Sequence, residues 1–206
     1  MIKRHFIVGF EDLQVDQGQV VSGSNCPEIV TACRCVNVAL FISDGIRRDV
    51  QMSLLAGDDT DLRVISFPGD RMKRVSPDER SISFFIMKGA EALKGVSSGT
   101  TRVLDNGITV SRTNLEHMLE QGPPGVLQVA ATQSDMPSGC SGISQTGIFV
   151  YDVSGTLSRC LKKRRMVLLP RPPHPERFIL DVNLYCDSAG QSPEETSITP
   201  PRERYP

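Results

Sequence analysis

The residue types best suited to chemistry are concentrated at one helix-to-strand junction. Residues 45–49 read Gly-Ile-Arg-Arg-Asp, which places two adjacent guanidinium groups beside a carboxylate. Guanidinium groups bind phosphate and other anions, and a carboxylate can accept or orient a proton. Junctions of this kind often line a cleft in α/β folds. The spacing therefore predicts that Arg47, Arg48 and Asp49 line a binding cleft.

Hydrophobic periodicity predicts the elements on either side of this junction. Apolar residues recur three or four positions apart from Ile29 to Leu40, which predicts a helix over residues 26–43 that ends at an Asp-Gly pair. Alternating apolar residues then predict a strand over 49–55. A second strand over 62–67 is predicted to pair with it as a hairpin.

The same patterns extend along the chain. Further strands are predicted at 5–10, 107–110, 147–152 and 166–169, with helices at 76–95 and 111–119 that are capped by Ser76 and Ser111. Residues 11–25 are predicted to be a loop, 121–147 show little periodicity, and 178–185 fit a helix or a strand. Alternating α and β elements with short connections predict an α/β sheet with helices on its faces.

Composition sets limits on the class of protein. With 206 residues, 39% of them hydrophobic, the chain has room for one core. The 23 basic and 24 acidic residues exclude a generally basic nucleic-acid coat but leave a local basic patch open. No segment resembles a membrane span or a signal peptide, so we expect a cytoplasmic location.

Cysteines and histidines give no metal-binding pattern. The cysteines are expected to be reduced, neutral thiols, since no Cys-x-x-Cys or His-x-x-x-His pair supports a metal site. The cysteines are Cys26, Cys33, Cys35, Cys140, Cys160 and Cys186, and the histidines are His5, His117 and His174. The histidines have no partner at metal or triad spacing and are expected on the surface.

Two ordered motifs carry a family resemblance. A helix containing Cys33, Cys35 and Asn37 precedes the Gly-Ile-Arg-Arg-Asp segment, and residues 77–81 then read Pro-Asp-Glu-Arg-Ser. Residues 26–95 thereby resemble the tRNA pseudouridine-54 N1-methyltransferase family. The resemblance implies a SPOUT-class α/β fold with helices on both faces of the sheet and a C-terminal trefoil knot. It also implies S-adenosylmethionine as cofactor, tRNA as substrate and a homodimer.

The resemblance suggests roles for the junction residues, each with a structural alternative. Asp49 would accept or orient the N1 proton, or would be an ion-pair partner of Arg47 or Arg48. Asn37 would bind the uracil edge or fix the loop, or would be a satisfied polar group of its helix. Arg47 and Arg48 would bind RNA phosphates, or would be solvated charges.

The C-terminal half departs from the family pattern. The family's Leu-Gly-Asp-His and Ser-Leu-Gly-Pro segments fall on residues 150–153 and 167–170. The predicted cofactor-binding residues are Val150, Tyr151, Asp152, Leu168, Leu169 and Pro170. Tyr151 and Leu169 replace glycines, so they would place bulk where the adenosine should lie. Prolines at 172, 173 and 175 are expected to resist the helix that completes the knot.

A basic run follows within this half. Residues 157–177 carry seven basic side chains against Glu176 alone. This run is an RNA-backbone patch, a solvated basic face, or frame-shifted sequence without a selected function. Together with Arg47 and Arg48, the predicted RNA-binding residues are Lys162, Lys163, Arg164 and Arg165.

These patterns leave two hypotheses for the chain as a whole. The protein is either an active methyltransferase or an inactive relative that binds RNA or protein. Its C-terminal half has either diverged from the family or been replaced through a reading-frame error. Residues 1–187 are predicted to form one domain, well matched to the family over 1–120 and divergent over 121–187. Residues 188–206 are predicted to be a disordered tail.

Overall fold

A computed structural model describes residues 1–58, 60–132, 142–157, 161–162 and 164–189. The strands are β1 (Arg4–Phe10), β2 (Phe41–Ile42), β3 (Gly45–Ile46), β4 (Val50–Asp58), β5 (Asp61–Pro68), β6 (Thr100–Val103), β7 (Thr109–Thr113), β8 (Val126–Ala131), β9 (Gly147–Asp152) and β10 (Val167–Pro170). The helices are α1 (Gln17–Ser22), α2 (Pro27–Leu40), α3 (Glu79–Leu93), α4 (Leu115–Glu120) and α5 (Pro175–Ala189).

Eight strands form one mixed sheet in the order β10-β8-β9-β1-β4-β5-β7-β6. The first five are parallel and the last three are antiparallel, while β2 and β3 form a separate hairpin. Arg4 pairs with Val50 and Gly147, and Gly9 pairs with Leu55 and Asp152. The parallel strands therefore share an amino edge near Arg4 and a carboxyl edge near Gly9.

Helices cover both faces of the sheet, as predicted. On one face α2, α3 and α5 pack on a core that includes Phe6, Met52, Phe67 and Phe149. On the other face α4 and the segment containing Leu157 complete a smaller cluster. Within the described part of the chain, no helix is both long and apolar enough to cross a membrane.

The strands at 5–10, 147–152 and 166–169 and the hairpin at 49–67 are confirmed within a few residues. The predicted loop at 11–25 is wrong in part, because it contains α1. The side chain of Asp16 caps α1 by accepting a hydrogen bond from Gln19 N. The helix predicted to reach Ser43 ends at Leu40, where the short β2–β3 hairpin begins.

Two predicted helix caps are also wrong. Asp78 caps α3 by accepting from Ser81 N, whereas Ser76 N donates to the Ser81 hydroxyl. Asn114 caps α4, while Ser111 lies within β7. In each case an Asp or Asn three residues before the receiving N–H supplies the acceptor.

The C-terminal half holds two elements that the patterns did not predict. Strand β8 lies in the segment that shows little periodicity. Its sequence does not alternate because the strand is buried inside the sheet and carries the polar Gln128 on its core side. The prolines do not prevent α5, since Pro175 is its first residue and the first turn tolerates proline. Helix α5 continues through Ala189, and residues 190–206 of the predicted tail lie outside the described residues.

His5 is buried, which overturns its expected place on the surface. Its Nε2 lies 2.8 Å from Ser53 Oγ and 3.2 Å from Gln51 Nε2, inside β1 and β4. Burial lowers the pKa of His5 from 6.5 to about 4. His117 and His174 are exposed, as expected.

We expect His5 to make the protein acid-sensitive. The unfolded chain takes up a proton below pH 6.5, whereas the folded chain resists protonation until about pH 4. His5 therefore contributes stability that is full above pH 6.5 and is lost as the pH falls towards 4, by about 3 kcal/mol in all. Urea unfolding of wild type and His5→Gln between pH 7.5 and 4.5 measures this. Parallel stability curves for the two proteins would refute it.

Candidate functional site

Asp49 lies at the amino edge of the sheet, immediately before β4. Its backbone oxygen accepts hydrogen bonds from Lys3 N and Arg4 N, at 2.8 and 3.1 Å. Its carboxylate lies 3.5 Å from the Arg4 guanidinium and stays 36% exposed. Asp49 thus has an ion-pair partner, which is Arg4, and still reaches solvent.

The adjacent arginines have different environments. Arg47 donates to the Asp187 carboxylate at 2.8 and 3.2 Å and to the backbone oxygens of Val38 and Phe41. It therefore holds the carboxyl end of α2, whose last carbonyls lack helical partners. Arg48 is exposed and donates one hydrogen bond, to Gly69 O at 3.0 Å. Of the two, Arg48 is available to a ligand.

A network that no sequence pattern indicated ties α5 to this edge. Arg4, almost fully buried, donates to both Asn183 and Asp187 at 2.9 Å. Burial opposes ionisation of Asp187, yet hydrogen bonds from Arg47 and Arg4 hold its pKa below the ordinary value. Arg4 and Asp187 are 183 positions apart. The spacing of residues along the sequence therefore gives no indication that Arg4 and Asp187 pair.

Asn37 connects the two motifs of the family resemblance. Its amide donates to the backbone oxygen of Pro77, just before α3. It lines a cavity of about 240 Å³ with Cys33, Glu79 and Glu176. Its side chain therefore fixes the loop that starts α3, which is one of the two functional roles that the resemblance suggested for this residue.

The thiols on α2 are unsuited to nucleophilic chemistry. Burial, with the nearby Glu79 carboxylate, raises the pKa of Cys33 to about 12, and burial also raises the pKa of Cys35 well above its ordinary value. Among the residues the structure describes, no cluster of His, Cys, Asp or Glu could hold a metal ion. Cys140 and Cys160 lie outside those residues.

The predicted cofactor-binding residues lie at the opposite, carboxyl edge. Val150, Tyr151, Asp152 and Leu169 are buried, whereas Leu168 is half-buried and Pro170 is exposed. Asp152 turns back on its own loop and accepts from the Gly155 and Leu157 amides at 3.0 Å and from the Ser154 hydroxyl at 3.2 Å. Burial raises its pKa in spite of these donors.

Tyr151 and Arg171 join the loops that follow β9 and β10. The Tyr151 hydroxyl donates to Pro172 O at 2.7 Å, and the Arg171 guanidinium lies 4.2 Å from the ring centroid. Arg171 also donates to Asp152 O at 2.8 Å. The two loops therefore contact each other through these side chains.

Two arginines of the basic run form ion pairs within the protein. Arg164 contacts Glu116 at 2.7 Å, and Arg177 contacts Asp181 at 2.8 Å. Lys162 and Arg165 are exposed. Lys163 lies outside the described residues.

The structure does not bring all the predicted site residues together within one chain. Asp49, Asn37, Arg47 and Arg48 lie towards the amino edge, and residues 150–152 and 168–170 lie at the carboxyl edge. In the register of the sheet, Leu55 of β4 is level with Asp152. Asp49 lies six residues before Leu55. At roughly 3.3 Å per residue, Asp49 and Asp152 are about 20 Å apart along the strand direction.

Comparison with known proteins identifies the family. A family model described as "Putative SAM-dependent RNA methyltransferase" matches residues 9–123, more than half of the chain. The chain belongs to this methyltransferase family. The match includes the Gly-Ile-Arg-Arg-Asp segment and both sides of its junction, so Asp49 and Arg48 lie within the family's own region.

Relatives extend the similarity into the C-terminal half. A Haloferax volcanii protein named tRNA (pseudouridine(54)-N(1))-methyltransferase is 29% identical over 167 residues, which cover 78% of this chain and 83% of the relative. A protein of the same name from Natronomonas pharaonis is 28% identical over 198 residues, covering 91% and 98%. One from Methanococcus maripaludis is 50% identical over 60 residues, covering 29% and 30%.

The longest of these alignments bears on the origin of the C-terminal half. An alignment over 91% of the chain includes most residues after 125. A segment read in the wrong frame would not align with a relative. This argues against a reading-frame error and favours divergence within the methyltransferase family.

S-adenosylmethionine does not fit between residues 150–152 and 168–172 as they are arranged. Tyr151 and Arg171 fill the space between the two loops, and the Asp152 carboxylate is occupied by its own loop. Leu169, at 3% exposure, belongs to the core. Cofactor binding at this edge therefore requires Arg171 and Tyr151 to move.

Proposed function

We propose that this protein methylates N1 of pseudouridine 54 in the T-loop of tRNA, with S-adenosylmethionine as methyl donor. One observation carries the proposal: two relatives with this named activity align with 78% and 91% of the chain. The partly exposed Asp49 and the exposed Arg48 supply groups suited to the reaction. Such a substrate implies a cytoplasmic enzyme.

In this proposal the chain contributes a proton acceptor and positioning. The target base must leave its stack before its N1 can react. The Asp49 carboxylate would accept or orient the N1 proton, since Arg4 holds it in place while leaving it open to solvent. Arg48 would bind a neighbouring phosphate. S-adenosylmethionine would supply the methyl group.

We further propose that the enzyme acts as a homodimer. Within one chain Asp49 is about 20 Å along the strand direction from the predicted cofactor loops. A second copy that sets its carboxyl edge against the amino edge of the first would bring the two halves of the site together. Sedimentation that shows a monomer under assay conditions would contradict this arrangement.

The strand order supports the proposal of a trefoil knot. After β8 and β9 the chain crosses to the far side of β8 to form β10, and α5 then lies beside α2. Asn183 of α5 donates to Val38 O and Ala39 O, at 3.0 and 3.2 Å. Cys186 of α5 also contacts Ser144, in the connection that leads to β9. A knot would thread α5 beneath that connection.

We expect Arg171→Ala to raise the affinity for S-adenosylmethionine by roughly fivefold to tenfold. The substitution removes the guanidinium that covers the Tyr151 ring, a contact worth about 1 kcal/mol or somewhat more. Isothermal titration calorimetry measures the affinity, and Arg177→Ala, an exposed arginine of α5, is the matched control. Weaker binding by Arg171→Ala would show that Arg171 holds the cofactor instead.

The filled space at the carboxyl edge also supports a second candidate, an inactive relative that binds RNA or a protein. Calorimetry of wild-type protein with S-adenosylmethionine distinguishes the two, because a relative whose cofactor space stays filled gives no heat. The proposed activity is tested by transfer of a labelled methyl group to a T-arm hairpin. We expect label in a hairpin that contains pseudouridine and none in its uridine counterpart. Equal labelling of both, or of neither, would contradict the proposal.

A further inference from the structure

The segment after β5 carries a concentrated positive charge. Residues 69–75, here termed the basic loop, contain Arg71, Lys73 and Arg74, all exposed, and one carboxylate, Asp70. Asp70 lies 3.5 Å from Arg71. The loop therefore presents a net positive surface in a chain whose overall charge is −1.

The backbone of the basic loop is anchored. Met72 and Val75 are buried in the main core, and Lys73 N donates to Asn106 O at 2.8 Å. Arg74 has a φ of 61°, the left-handed region that non-glycine residues seldom adopt. Conformations of this kind recur at functional sites, where the surrounding structure maintains them. Lys73 and Arg74 thus project from a fixed backbone.

The basic loop is joined to the residues on both sides of Asp49. Arg48 donates to Gly69 O at 3.0 Å, and Gly69 N donates to Val50 O at 2.9 Å. The cations of the loop therefore continue the positive surface that begins at Arg48. A polyanion bound along this surface would pass beside the Asp49 carboxylate.

The Lys73 and Arg74 side chains have no internal partner among the described residues, in contrast to many arginines elsewhere in the fold. Arg63, Arg112 and Arg164 each contact a carboxylate within 3 Å. Over the described ranges, the Lys73 and Arg74 side chains have neither a hydrogen bond nor an ion pair. Their charges are therefore available to an external anion without loss of an internal contact.

We propose that the basic loop binds the phosphate backbone of the substrate RNA, with Lys73 and Arg74 as the phosphate contacts. This rests on the proposed function and adds the surface that would hold the RNA while the target base reaches Asp49. Phosphate contacts of this type set position and affinity and read no sequence. They also make binding dependent on salt, because bound cations displace counterions from the RNA.

The test is tRNA binding by fluorescence anisotropy between 50 and 300 mM salt. The double variant Lys73→Ala/Arg74→Gly removes both charges, and glycine retains the positive φ at position 74 without strain. The matched control Lys88→Ala/Lys94→Ala removes two exposed lysines, one within α3 and one directly after it. We expect the loop variant to bind roughly tenfold more weakly at 50 mM salt, with a salt slope lower by about two. The control should match wild type.

The outcomes separate this proposal from the proposed function. Wild-type affinity and salt slope in the loop variant would overturn the role of the basic loop and leave the function intact. Failure of the wild-type protein to bind tRNA would overturn both. Unchanged thermal unfolding and S-adenosylmethionine affinity in the loop variant would tie its loss of binding to RNA contact.

Discussion

Replacing Asp187 by alanine is expected to lower the free energy of unfolding by about 2–3 kcal/mol. Removing one member of a buried ion pair typically costs about 3–5 kcal/mol, and the 40% exposure of Asp187 reduces that figure. The loss leaves the buried Arg4 guanidinium without its nearest carboxylate, and Arg47 loses its only charged partner among the described residues. Urea unfolding monitored by circular dichroism measures the change.

The control for this variant is Asp181→Ala on the same helix. Asp181 forms an exposed pair with Arg177 four residues earlier, and such pairs contribute about 0.5 kcal/mol or less. A loss for Asp187→Ala no larger than that for Asp181→Ala would show that the network does not hold α5 to the amino edge. The Arg4 charge would then be compensated by Asp49 and solvent alone.

Replacing Asp49 by asparagine is expected to slow methyl transfer by about 10²–10⁴-fold while leaving tRNA affinity within a few-fold of wild type. General acid–base catalysis contributes about this much, and asparagine keeps the shape but cannot take a proton. Single-turnover rates with saturating tRNA separate the chemical step from binding. The free energy of unfolding should fall little, because the Asp49–Arg4 contact is 3.5 Å long and partly exposed.

Asp44→Asn provides the matched control for Asp49→Asn. Asp44 is an exposed carboxylate in the turn of the β2–β3 hairpin, five residues from Asp49. We expect this control to transfer methyl groups at the wild-type rate. A rate for Asp49→Asn within threefold of the control would leave Asp49 as a structural partner of Arg4 and nothing more.

Local patterns predicted the elements around the junction because each carries its own periodicity. The alternation in β4 and β5 and the helical spacing in α2 are properties of short segments, so Asp49 and Arg48 were placed correctly at a strand entry. Strand β8 escaped prediction because a central parallel strand needs no alternation, and Gln128 interrupts its apolar run.

Long-range contacts account for what the sequence could not predict about the site. Nothing local pairs Arg47 with Asp187, 140 positions away, or Tyr151 with Pro172 and Arg171. The family resemblance predicted bulk at Tyr151, but it did not predict that Arg171 would cover the ring. The basic loop is visible in the sequence as three cations within residues 71–74. Its position beside Asp49 is known only from the contact between Arg48 and Gly69.

The most direct test of the methyltransferase assignment is position-resolved mass spectrometry of tRNA treated with the protein. A tRNA that contains pseudouridine at position 54 is incubated with S-adenosylmethionine bearing a deuterated methyl group, then digested and sequenced. We predict deuterated N1-methylpseudouridine at position 54, and none in a matched tRNA that contains uridine there. Deuterated methyl at another nucleotide, or its absence from both tRNAs under conditions where the protein binds them, would contradict the assignment.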